Sequence, residues 1–424
     1  MKLYYVEGSY ELSFFYICIK TEQELSKKVL ELNKSTFLHE FIHYLQDLVL
    51  PYNIRLNLSH VRWFFNILDS AHMKGYIKRP FEEWNNESHT LFEQANRTIG
   101  GRRFINYVSK IEYPRSDYIE IKGYDSNLGK LRQHRVYQYN LPVLENDESE
   151  LSMYSIGARD ILEYIAYKIE VKNFPDRPKA PQLPYESIDL IFDKYGLTQI
   201  PDEIRVCIAE RCLYNDAPMH YLIHMLLDDD EFKRFILNSS YKEIYDYLLK
   251  LETVTRDGQI ESLLAKAQRR LKQFADELCT QYNGFDEIEK WIEKASSFVE
   301  HNFSGKFIFS DIYVMDRDKV FEFVEEVISC IGIPLVINSR DKYISIQSNE
   351  IEVSQFIQFC ILEKFQSFVQ SKGEKCPIYN FCQANGGTCN ENCIINKQKI
   401  IRGNENCYYR KFMETYGLLD VKID

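Results

Sequence analysis

Between residues 35 and 49 the apolar positions Phe37, Leu38, Phe41, Ile42, Leu45, Leu48 and Val49 recur at helical spacing, and Ser35 or Thr36 offers an N-cap. The chain ahead of this helix alternates instead, predicting a hairpin of Leu3 to Val6 and Tyr10 to Ile19 that turns near Gly8-Ser9. Residues 55–110 read as helical. A second β region follows over 117–143, with Tyr118 to Ile121 and Val136 to Tyr139 as strands. Ile161, Leu162, Ile165, Ala166 and Ile169 form the stripe of another buried helix, preceded by an acidic connection over 145–150. Pro175, Pro178, Pro181 and Pro184 mark a boundary, after which residues 185–302 carry helical patterns almost throughout. Beyond 305 the pattern predicts a strand from Lys306 to Ile312, a helix from Arg317 to Ile331, a hairpin from Leu335 to Gln347 and a helix from Ile351 to Gln370. The expected fold class is α+β and mainly helical. Four regions are expected: a core over 1–175, a helical domain over 176–303, a small α/β region over 304–372 and a Cys-rich tail over 373–424.

The first helix also carries His39-Glu40-Phe41-Ile42-His43. Histidines four apart project from one helix face, where two imidazoles can share one Zn²⁺ at about 2.0–2.1 Å. A water on such an ion has its pKa lowered to around 7, and Glu40 is placed to take its proton without being a ligand. On a helix that is otherwise apolar, an uncompensated His-Glu-His set would be costly to bury. The pentapeptide H-E-x-x-H resembles the signature of the zincin superfamily of metallopeptidases. That resemblance implies a small sheet over the active-site helix, its edge strand binding substrate as an extended chain.

A catalytic zinc usually takes three protein ligands and leaves one position for water. The metzincin extension is absent, since Gln46 and Val49 occupy its Gly and His positions. Glu163 is the candidate third ligand. With Ala166 it forms an E-x-x-A element similar to the second zinc helix of gluzincins, where a small residue lets two helices approach closely. A solvated helix-surface carboxylate is the competing reading, and Asp160, Glu170, His220 and His224 are rival ligands. His220 and His224, four apart, read first as histidines packed near the core; in a functional role one of them suits donation to a developing oxyanion better than metal binding, and Tyr164 and Tyr167 are further donor candidates. Gln46 and Asp47 are candidates to orient the imidazole of His43.

Composition narrows the function classes. The 424-residue chain has 45% hydrophobic residues, enough for sizeable cores, and a formal charge of −11. That balance argues against general nucleic-acid binding and against an anionic membrane surface. Arg102-Arg103 and Arg269-Arg270 read as short solvated patches. The N-terminus lacks the apolar run of a signal peptide, and no stretch approaches the ~18 apolar residues of a membrane span. The expected location is the cytosol, where the eleven cysteines stay reduced. Five of them cluster late: Cys376, Cys382, Cys389, Cys393 and Cys407. Their spacing matches no standard finger, but such clustering in a reduced compartment favours a second, structural Zn²⁺ on Cys376, Cys382, Cys393 and Cys407, with Cys389 as the spare. An iron–sulfur cluster is the alternative, followed by free thiols and disulfides. The other six are scattered and read as buried thiols.

Together these features lead to the expectation of a cytosolic zinc metallopeptidase for a restricted protein or peptide substrate. His39, His43 and Glu163 would hold the metal, Glu40 would act as general base, and the tail could dock a protein partner. Two other readings stand beside it: a regulatory or scaffolding protein with a zincin-like domain, and a zinc hydrolase acting on a non-peptide bond.

Overall fold

A computed structural model describes residues 7–82, 86–125, 130–145, 150–254, 260–280, 286–303, 305–346, 353–371, 375–389, 393 and 407–424. The expected strand Leu3 to Val6 and most of the acidic connection lie outside the described residues. The chain opens with β1 (Gly8–Glu11), β2 (Tyr16–Ile19), α1 (Lys27–Leu32), α2 (Lys34–Val49), α3 (Pro51–Lys74), β3 (Tyr76–Ile77) and α4 (Asn86–Ile99). A meander of β4 (Val108–Ile111), β5 (Arg115–Asp125), β6 (Lys130–Glu145) and β7 (Ser152–Ile156) leads into α5 (Ala158–Asn173). Helices α6 (Gln182–Tyr185), α7 (Ser187–Lys194), α8 (Asp202–Cys212) and α9 (Pro218–His220) follow, the last running into a π-helical segment, Tyr221–Leu227. Next come α10 (Asp230–Asn238), α11 (Tyr241–Lys250), the short ribbon β8 (Thr253–Val254) and β9 (Ile260–Glu261), α12 (Leu263–Thr280) and α13 (Asp286–Phe303). The last part holds α14 (Ile308–Val314), α15 (Arg317–Ile331), β10 (Ile333–Asn338), β11 (Tyr343–Ile346), α16 (Val353–Val369) and α17 (Tyr379–Ala384), then a helix Tyr408–Thr415 and a final strand Lys422–Ile423. The fold is α+β and mainly helical. No helix among the described residues is long and apolar enough to cross a membrane.

The hairpin beside α2 turns at a different place from the one its glycine suggests. Gly8 lies within β1, opposite Ile19, and the reversal falls between Glu11 and Tyr16. The glycine serves a close approach: a Cβ there would sit 2.5 Å from Thr36 Cγ2 and 2.9 Å from Glu40 Oε1. The turn itself is tied down by Asp47, whose buried carboxylate accepts the Ser13 N–H at 2.7 Å and the Asn53 amide at 2.9 Å. The sheet order is β1-β2-β10-β11, and β10 runs parallel to β2 with Val336 opposite Ile17. A strand from beyond residue 330 therefore completes the N-terminal sheet. At the far end, Lys422–Ile423 pairs in parallel with β3, and Phe412 and Tyr416 pack on Phe64 of α3. One buried cluster extends from Tyr10 to Leu418, so the hydrophobic core runs across the boundaries expected at 175, 303 and 372.

Residues 308–312 are helical where alternation predicts a strand. Buried Glu210 of α8 accepts the backbone N–H groups of Ile308 and Ser310, both at 2.7 Å, and the Ser310 hydroxyl at 2.8 Å. It thereby satisfies the free donors of the first turn of α14. A tertiary partner decides the conformation over local β preference.

Candidate metal centre and its cleft

Helix α2 is buried without a break from Leu38 to Val49, so each polar side chain along it needs a partner. The helix starts earlier than expected, with Asn33 and not Ser35 or Thr36 at the N-cap position. Ser35 is drawn elsewhere, donating to Glu170 Oε1 at 2.6 Å, and Thr36 donates to Glu7 at 3.0 Å. His39 Nδ1 lies 3.0 Å from Glu170 Oε2. His43 Nδ1 lies 2.8 Å from Gln46 Oε1, and the Gln46 amide donates in turn to the Leu162 carbonyl at 3.2 Å. Both acceptors call for an N–H on Nδ1, which leaves a lone pair on each Nε2.

Those two Nε2 atoms converge with Glu163 of α5. They are 3.2 Å from one another, and Glu163 Oε2 is 3.2 Å from that of His39 and 3.3 Å from that of His43. Two lone pairs and a carboxylate oxygen at such separations repel unless a proton or cation sits among them. A tetrahedral zinc with bonds of about 2.0–2.1 Å holds its ligand atoms roughly 3.3 Å apart. The donor set thus fits zinc in type and in spacing. Among the described residues, this is the one group of three or more His, Cys, Asp or Glu ligand atoms lying within 4.8 Å of each other. Burial alone would raise the Glu163 pKa, but the charges of His43 and His39 and their hydrogen bonds outweigh it and hold the carboxyl well below its usual range.

Helix α5 presents Glu163 because its first turn is fixed from two sides. Asp160, three residues past the cap, accepts the Gly157 N–H at 2.8 Å and the Tyr154 hydroxyl at 2.7 Å. Asp160 is therefore a capping residue and not a metal ligand. Ala166, one turn beyond Glu163, is fully buried, as the E-x-x-A element requires. Glu170 braces the cluster without joining the three candidate ligands: besides His39 and Ser35, its carboxylate pairs with Arg177. Glu170, a rival ligand by sequence, is a positioning residue instead, and the sequence signal for that role is its seven-residue, two-turn spacing from Glu163 on one helix face. Glu170→Gln should lower metal affinity about 10–100-fold, measured by competition with a coloured chelator. Unchanged affinity would show that Glu170 serves only to anchor Arg177.

Of the expected second-layer pair, Gln46 orients His43, while Asp47 turns to the hairpin. None of the four candidate oxyanion donors lines the cleft over the centre, and each has its partners elsewhere. His220 pairs with the Tyr139 hydroxyl at 2.8 Å, and His224 pairs with Asp228 at 2.7 Å, both around the π-helical segment. Tyr167 packs in a separate small cluster with Ala180 and Tyr185, and Tyr164 donates to Asp189. A cleft of about 620 Å³ opens over the metal centre, lined by His39, Glu40, His43 and Glu163 together with β1, the 99–104 segment and part of α16. Tyr10, His60, Arg102 and Arg159 are among the donors that line it, and the sequence alone points to none of them for this role. His60 is neutral near pH 7, since burial lowers its pKa to about 4.

In the tail, Cys376, Cys382, Cys393 and Cys407 are all buried and Cys389 is half-buried. They are neighbours: the Cys376 N–H donates to the Cys393 carbonyl at 2.9 Å, and burial followed by the nearby thiols pushes the Cys376 pKa up to about 12. Among the described residues, no three of their sulfurs lie within 4.8 Å of one another.

Protein-family profiles, characterised proteins and solved structures yielded no match to this chain.

Proposed function

We propose that the chain is a zinc-dependent peptidase of restricted specificity, with His39, His43 and Glu163 holding the metal. The observation that carries this reading is the meeting of two Nε2 lone pairs and one carboxylate oxygen at 3.2–3.3 Å beside buried Glu40. When bound, the ion supplies Lewis acidity that lowers the pKa of a water and polarises a carbonyl. Glu170 and Gln46 hold the two rings in the required tautomer, so no rotation is needed before reaction. Glu40, raised by burial to a pKa of about 6, accepts the proton of the attacking water and returns it to the departing amine. Strand β1 lines the cleft and is the outermost strand of its sheet among the described residues, which suits an extended peptide added along it. On the α2 side both histidines are buried, with the Tyr10 ring stacked toward His43 and the Tyr185 ring edge-on to His39.

The test is peptide cleavage under metal control. Purified protein, incubated with a degenerate peptide pool and read by mass spectrometry, should cut a limited set of bonds. Chelation should abolish cutting, and added zinc should restore it. Cleavage indifferent to chelation, or absence of zinc from the native protein, would overturn the reading.

A further inference from the structure

The metal centre accounts for one end of the cleft, and Arg103 on its lining pairs with Glu145, which leaves Arg102 and Arg159 unexplained. Arg159 lies on the first turn of α5, four residues before Glu163. One turn of helix thus sets it about 6 Å along the axis from that ligand. Its guanidinium lines the cleft and makes one hydrogen bond, to the Gly101 carbonyl at 3.1 Å. Arg102 lines the same cleft and makes no hydrogen bond or ion pair among the described residues.

The two arginines are brought together by backbone packing. Gly100, at φ +87°, meets Gly157 so closely that a Cβ on either would strike the backbone of the other's segment. The Gly101 N–H then donates to the Ser155 carbonyl at 2.8 Å, locking the 99–104 segment against the start of α5. This crossing holds two like charges near each other in a partly desolvated space: burial and then Arg102 both lower the Arg159 pKa. The acidic groups of the cleft act on them only at longer range, Glu163 on Arg159 and Glu11 on both, and none forms an ion pair with either. Glu40 and Glu163 belong to the metal centre, Glu363 accepts from Tyr16 and Ser367, each at 3.2 Å, and Glu11 forms no ion pair within 4.0 Å among the described residues. Neighbouring guanidiniums without an ion pair, in an open cleft, are matched to a planar anion that takes a forked pair of N–H groups.

Resting on the peptidase reading, we infer that Arg159 and Arg102 select a substrate carboxylate, so that the enzyme cuts beside an acidic side chain or beside a free C-terminus. The carboxylate would lie over the first turn of α5 while the bond to be cut lies over Glu163. Both sources share one chemistry, and one experiment separates them.

Binding is measured on zinc-loaded Glu40→Gln protein, so that turnover plays no part. Two matched pairs of short degenerate peptide pools serve as probes: fixed Glu against fixed Gln with amidated ends, and free acid against amide with no acidic side chain. One acidic member should bind about ten-fold or more tighter than its neutral match. In Arg159→Gln with Arg102→Gln the difference should fall below about two-fold at unchanged zinc content. Arg102→Gln alone, at an exposed position, provides a variant whose folding is not at issue and should give part of the loss. Equal binding of acidic and neutral pools, or a preference that survives both substitutions, overturns the inference. Wild-type cleavage of the same pools is scored separately: an acidic preference in binding without any cleavage would strike the peptidase reading and leave the carboxylate site standing.

Discussion

Glu40→Gln protein should keep its metal and lose peptide hydrolysis by about two to three orders of magnitude. Glutamine has nearly the same shape, accepts no proton and carries no charge. The substitution therefore removes the base and its negative charge while preserving the packing around it. The setting of Glu40 favours that role. It is buried on α2 between the two candidate ligands, and its pKa rises to about 6. Desolvation raises it most, the charges of His39 and His43 pull it down, and Glu163 and Glu11 push it up again. A base poised near neutrality combines a usable deprotonated fraction with enough basicity to take a proton. Position matters as much as basicity. The carboxylate lies against β1, where the missing Cβ of Gly8 leaves it room 2.9 Å away. Elemental analysis with single-turnover peptide cleavage checks both halves of the expectation. A variant that cleaves at the wild-type rate would remove Glu40 from the mechanism, and one that loses zinc would make it a ligand or a structural support.

The legible part of the site was the part written in local periodicity. His39, Glu40 and His43 stand on a single helix turn, and Glu163 stands on an apolar-striped helix beside a small residue; both patterns survive without knowledge of how the chain folds. What brings α2 and α5 together is not local. It depends on a hairpin anchored by Asp47, on Gly157 packing against Gly100, and on Glu170 reaching back to Ser35 and His39. The same limit explains the misplaced hairpin turn, because a glycine needed for close approach looks identical in sequence to one needed for a turn. It explains Arg102 too, which reads as a surface charge until the 99–104 segment is seen over the cleft. His220 and His224 show the converse. Their spacing repeats that of His39 and His43, yet no third group converges on them within 4.8 Å among the described residues. Spacing selects candidates; convergence from a second element separates a centre from a coincidence.

Removing the ligands should have the largest effect of all. His39→Ala with His43→Ala should eliminate the bound zinc and with it all metal-dependent cleavage, because a single carboxylate cannot retain the ion. Glu163→Ala should weaken zinc binding severely while leaving the two imidazoles in place. The asymmetry follows from the geometry. His39 and His43 remain oriented by Glu170 and Gln46 whatever stands at 163, whereas Glu163 pairs with the two Nε2 atoms themselves. Folding is expected to persist in each variant, since the helices are held by a core that extends from Tyr10 to Leu418, with Phe41, Ile42, Ile161 and Ile165 essentially inaccessible. Thermal unfolding followed by circular dichroism, with and without a chelator, separates metal loss from collapse. If Glu163→Ala binds zinc as tightly as wild type, the third ligand lies elsewhere and the centre proposed here is wrong. If the double histidine variant retains its full zinc content, the ion belongs to another site, and the buried tail thiols are the first place to look.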